Sequence, residues 1–69
     1  MTDLFAGALP IDRDAQIKEV EREIALRRRV YPRWVESGRL TEAAAARQIA
    51  VMEAVARSLR DLASEGSQP

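Results

Sequence analysis

The segment Ser37-Gly38-Arg39-Leu40-Thr41-Glu42 constrains this chain more than any other, because it carries a helix stop and a helix start in immediate succession. Gly38 supplies the left-handed backbone that ends one helix, a conformation costly for any residue with a Cβ, and the Thr41 hydroxyl is placed to cap the next. So short a connection sends the second helix back along the first, which makes the two antiparallel neighbours.

The flanking segments carry the periodicity that such a hairpin requires. Upstream, Ile17, Val20, Ile24, Tyr31 and Val35 recur at steps of three, four and seven, one stripe of a helix that Asp12 or Asp14 can cap. Asp14 precedes Lys18, and Glu23 precedes Arg27, by four residues, the better order for helical ion pairs. Pro32 lacks an amide hydrogen and disfavours helical geometry at Tyr31, so a kink is expected there, with the stripe keeping its phase through Trp34 and Val35. Downstream, Ala45, Ile49, Met52, Ala56, Leu59 and Ala63 form the centre of a second apolar face, with Arg57 and Arg60 near its C-terminal, negative end. The expected fold is all-α, an antiparallel α-helical hairpin over 12–64 with helices over about 12–37 and 42–63. Residues 1–11 read as a flexible arm and 65–69 as a disordered tail.

One hairpin leaves too much apolar surface. Ala44, Val51, Val55 and Leu62 widen the apolar arc of the second helix to nearly half its circumference, more than a single neighbour covers, and Leu26 and Val30 add a smaller patch on the first. A chain of 69 residues also buries little of its surface, and with no cysteine and no histidine it has neither disulfides nor the usual metal ligands to reinforce it. Dimerisation into a four-helix bundle is the economical remedy, with Ala44, Ile49, Val51, Met52, Val55, Leu59 and Leu62 as the expected interface. Gln48 lies within the same arc, either as a buried amide that fixes register or at a solvent-touching edge.

The missing residue types also bear on chemistry. Without His or Cys, and with Ser37, Ser58, Ser64 and Ser67 lacking a base at a recognisable spacing, no nucleophile or metal centre assembles from the sequence. Glu19, Glu21 and Glu23 read as a solvated helix face, and Gly7, Gly38 and Gly66 form no phosphate-cradling loop. The chain is therefore expected not to be an enzyme, and no metal or cofactor is expected. No apolar run approaches the roughly 20 residues of a membrane span, and Met1–Pro10 has neither the basic start nor the apolar core of a signal peptide, which points to the cytoplasm.

Overall charge is balanced at eleven basic and eleven acidic residues, but the balance is not local. Arg27, Arg28, Arg29, Arg33 and Arg39 face Glu36 alone across 27–39, a local net charge of +4. These arginines are the candidate binding residues, and Tyr31 and Trp34 between them are candidates either for stacking on a nucleobase or for the core. A fork of guanidinium groups beside aromatic rings suits a nucleic acid or a cyclic nucleotide. The same residues suit a protein surface if the rings pack inside and the arginines pair with glutamates of the other helix. In the arm, Asp3-Leu4-Phe5 looks like the end of the short peptides with which bacterial proteins dock on the DNA sliding clamp, or else folds back as a lid.

The run Arg27-Arg28-Arg29-Val30-Tyr31-Pro32-Arg33-Trp34-Val35, followed by Gly38-Arg39-Leu40-Thr41 and by Ala46 through Met52-Glu53-Ala54-Val55, resembles a widespread family of small uncharacterised proteins encoded by tailed bacteriophages and prophages. The similarity extends over roughly residues 17–59. It implies the cytoplasm of an infected bacterium and a non-enzymatic accessory role, with counter-defence inhibition of a host protein or protein complex as the leading expectation. Sequestration of nucleic acid or a nucleotide is the alternative. The chain is expected to work as a homodimer.

Overall fold

A computed structural model of the chain describes residues 10–66. They form two α-helices, α1 over Arg13–Glu36 and α2 over Glu42–Gly66, packed side by side as a hairpin. The Asp3-Leu4-Phe5 segment and most of the expected arm lie outside the described residues, as do 67–69 of the expected tail.

Local chemistry sets each helix end. The Asp12 carboxylate accepts the Ala15 N–H at 2.8 Å, satisfying one of the amides that the first turn leaves without a helical partner. Thr41 does the same for α2, its Oγ1 accepting the Ala44 N–H at 3.1 Å. At the turn Gly38 adopts φ +83°, the left-handed conformation expected of it. Its N–H donates to the Val35 carbonyl at 3.1 Å and the Arg39 N–H to the Trp34 carbonyl at 2.8 Å, the paired bonds of a Schellman ending. The Leu40 N–H and the Ser37 hydroxyl converge on the same Trp34 carbonyl, both at 3.2 Å.

One boundary differs from the sequence reading, that of α2. α1 passes through Pro32 and continues for one more turn to Glu36. Proline removes only the amide that would bond the Arg28 carbonyl, and the Schellman ending closes the remaining turn. α2 runs on to Gly66, because nothing before that glycine stops it. Arg57 and Arg60 consequently fall short of its last turn, which holds no basic residue, and Glu65 is helical rather than part of a tail.

The seam between the helices is thin. Its buried side chains are Ile24 and Tyr31 from α1 and Ala45 and Ala56 from α2, with Ala56 only 1 % exposed. Alanine on the α2 side lets the backbones approach closely, but it contributes little apolar area. Half-buried Ile17, Val20 and Val35 on α1, and Ile49, Met52, Leu59 and Ala63 on α2, line the edges of the seam.

Candidate functional site

Successive residues of an α-helix point about 100° apart, so each helix divides into a seam-facing side, two lateral sides and an outer flank. The cross-helix contacts show which lateral sides belong together. On one broad face of the hairpin Arg28 pairs with Glu53, and Arg60 with Glu21 at 2.5 Å. These residues, with Ile24, Ala25, Ala56 and Arg57, line a shallow depression of about 460 Å³. Charged groups bridge α1 to α2 across this face, which is already closed by its own pairs.

The opposite face is different. There the Tyr31 hydroxyl donates a hydrogen bond across the seam to Gln48 Oε1 at 2.9 Å. Around it Trp34 on α1, and Val51, Val55 and Leu62 on α2, are exposed. Further along, Gln16, Glu19, Val20 and Leu59, together with Ile11 and Ala15, line a shallow cavity of about 550 Å³. The tightest charged pair on this face is self-contained. Arg27 Nε donates to Glu23 at 2.8 Å while its guanidinium lies 6.0 Å from the centre of the Tyr31 ring. The hydrogen bond it donates to Glu23 raises the Arg27 pKa further above its already high ordinary value, so this guanidinium stays charged.

The five candidate arginines do not form one cluster. Arg27 belongs to the apolar face, held by Glu23, and Arg28 to the charged face, held by Glu53. Arg29 and Arg33 fall on the outer flank of α1, away from α2, and Arg39 sits in the turn. Those three are exposed and have no ion-pair partner among the described residues. Three adjacent arginines in a sequence are dispersed by helical geometry, which leaves no guanidinium fork of the kind that the sequence suggested.

The two aromatic candidates also separate. Tyr31 is a core residue, 7 % exposed, whereas Trp34 is 39 % exposed, so of the two alternatives the core one fits Tyr31 alone. The reason is geometric: Tyr31 fills the seam, and Trp34, three residues on, falls beside it, with ring centres 5.6 Å apart and planes tilted by 31°. Of the expected interface residues, Ile49, Met52 and Leu59 are half-buried in or beside the seam, so the hairpin itself uses much of their surface. Val51, Val55 and Leu62 remain uncovered, with half-buried Ala44 on the same side. The sequence reading sets Glu21 on a solvated face and Arg60 near the end of α2, and it offers arginine–glutamate pairing across the hairpin without assigning Glu21, Glu53 or Arg60 to it. Their signal is positional, since Arg28 and Glu53, like Glu21 and Arg60, lie at nearly matching distances on either side of the turn.

Among the described residues no group of three or more acidic side chains could hold a metal ion, and no helix is long and apolar enough to cross a membrane. No protein-family model, curated protein or solved structure matches the chain. None of them thus stands beside the resemblance expected from the Arg27–Val35 and Gly38–Thr41 strings.

Proposed function

We propose that the chain is a non-enzymatic helical binding protein that acts as a homodimeric four-helix bundle and blocks a macromolecule of a bacterial host. The observation that carries this reading is the inequality of the two broad faces: one is laced by Arg28–Glu53 and Glu21–Arg60, the other leaves Trp34, Val51, Val55 and Leu62 open. Exposed apolar side chains in a continuous patch mark interaction surfaces. A hairpin with so small a core gains most from covering that patch.

The host target then falls to surfaces outside the apolar face, and Arg29 and Arg39 are the free cations best placed for it. The phage resemblance supplies the setting, the cytoplasm of an infected cell, and the mode, stoichiometric inhibition. Binding of nucleic acid or a cyclic nucleotide has less support, because Arg27 and Arg28 are engaged by carboxylates and point to different faces.

Capture of host components on the tagged protein, compared with the Arg29→Glu/Arg39→Glu variant, tests the assignment. The wild type is expected to retain a specific host protein and the variant to lose it at unchanged helicity. Equal retention by both places the recognition surface elsewhere. Retention of nucleic acid or nucleotide that falls steeply with salt replaces the protein target with a phosphate ligand.

A further inference from the structure

The apolar face encodes its own register. Ala44, Gln48, Val51, Val55, Ser58 and Leu62 recur along α2 at alternating steps of four and three, the seam pattern of paired helices. None of them is buried against α1. The run spans about 27 Å at 1.5 Å per residue. Read against its own reverse it is complementary: Ala44 meets Leu62, Gln48 meets Ser58 and Val51 meets Val55.

We propose that a second copy of the chain occupies this face with α2 laid antiparallel on the partner's α2, the two-fold axis passing level with Glu53. The inference rests on the homodimer reading above and deepens it by fixing which helices meet and in what register. The first support is the layering. A small residue faces a large one, two valines face each other, and the two polar residues coincide. Gln48 spends its carbonyl oxygen on the Tyr31 hydroxyl, which leaves its amide N–H groups to donate to the partner's Ser58. Sliding by one layer in either direction sets Gln48 against valine or Ser58 against valine.

Charge gives the second support. Arg47 and Asp61 flank the stripe on its outer side and have no ion-pair partner among the described residues. The antiparallel register puts Arg47 beside the partner's Asp61, and two-fold symmetry repeats the pair. On α1 it puts Arg33 near the partner's Glu19, whose own-chain contact with Arg22 is a loose 3.8 Å. The other two-fold closure of the same face lays α2 over the partner's α1. It sets Arg47 beside Arg33 and Asp61 beside Glu19, like charge on like.

The third support comes from α1. The contacts Arg28–Glu53, Glu21–Arg60 and Tyr31–Gln48 define which residues of the two helices are level. An axis level with Glu53 crosses α1 near Arg27, which meets its own copy there, each guanidinium countered by the Glu23 of its own chain. It also brings Trp34 level with the partner's Val20, in the floor of the 550 Å³ cavity. One contact thus covers the exposed indole and fills the cavity.

The absence of cysteine makes engineered thiols clean reporters. Ala44→Cys and Leu62→Cys proteins are treated with a short thiol cross-linker, separately and mixed, beside sedimentation of the wild type. The expected result is a dimer whose covalent product forms in the mixture and scarcely in either protein alone. A product from Ala44→Cys alone, or a sedimenting dimer with no product in any tube, overturns the register and leaves the homodimer standing. A monomer at micromolar concentration overturns both. Charge exchange provides a check independent of the thiols: Arg47→Asp is expected to weaken the dimer roughly tenfold, and Arg47→Asp/Asp61→Arg to restore it. Failure of the double variant to recover overturns the Arg47–Asp61 contact.

Discussion

Gly38→Ala isolates the backbone term of the turn. Gly38 is the single described residue with positive φ, at +83°, and a Cβ built on it meets nothing within 4 Å. Crowding therefore contributes nothing, and the cost is that of holding an L-residue in the left-handed region, about 1–2 kcal/mol. Alanine also restricts the unfolded chain, which returns about 0.4–1 kcal/mol and leaves a net loss near 1 kcal/mol. For a chain of this size that lowers the thermal midpoint by about 4–8 °C. Circular dichroism melts at one fixed protein concentration read the loss, with Gly38→Asn as a companion, since asparagine tolerates this conformation and should lose less. A D-alanine at the same position, introduced by synthesis, should stabilise the hairpin. Equal midpoints for wild type and Gly38→Ala refute the assignment of the stop to backbone conformation. A loss above about 3 kcal/mol shared by Ala and Asn refutes the open space around the Cβ.

Ala56→Leu forces a larger side chain into the tightest point of the seam and is expected to cost about 1–3 kcal/mol in chemical denaturation, although it adds apolar surface. Thr41→Ala removes the cap on α2 and should cost about 1 kcal/mol, with faster exchange of the Ala44 amide, while Thr41→Ser largely preserves both. The Arg28 and Glu53 side chains are 59 % and 38 % exposed, so a double-mutant cycle in the isolated protein should give a coupling of at most about 1 kcal/mol, weakened further by salt. The thermal midpoint should rise with protein concentration, because the dimer is proposed to complete the core, and a midpoint constant over a hundredfold range contradicts that coupling.

The parts of the fold legible in the sequence are those decided by neighbours along the chain. The Asp12 and Thr41 caps, the left-handed Gly38 and the Glu23–Arg27 pair each need only residues within a turn of one another. The apolar period also places Ala45 and Ala56 on the side that α1 covers. What sequence cannot rank is which of two large residues three positions apart wins a narrow seam. Tyr31 takes it because its hydroxyl reaches Gln48 from there, and Trp34 is left beside it. The arginine string misleads for a related reason: adjacency along the chain is divergence around a helix, and Arg27, Arg28 and Arg29 end on three different sides.

The thinness of the seam connects the fold to the function proposed for it. Burying Ile24 and Tyr31 contributes about 1.5–3 kcal/mol each, and the buried alanines far less, whereas ordering a residue's backbone costs about 1–2 kcal/mol. On the dimer proposed above, a hairpin of this length offsets that cost by drawing on apolar surface it does not cover itself. Val51, Val55, Leu62 and Trp34 are that reserve. The charged face cannot supply it, because Arg28–Glu53 and Glu21–Arg60 are already satisfied within the chain and docking against them requires desolvating paired ions. Folding and association are therefore expected to draw on the same face, while Arg29 and Arg39 remain outside it and free to engage a second molecule.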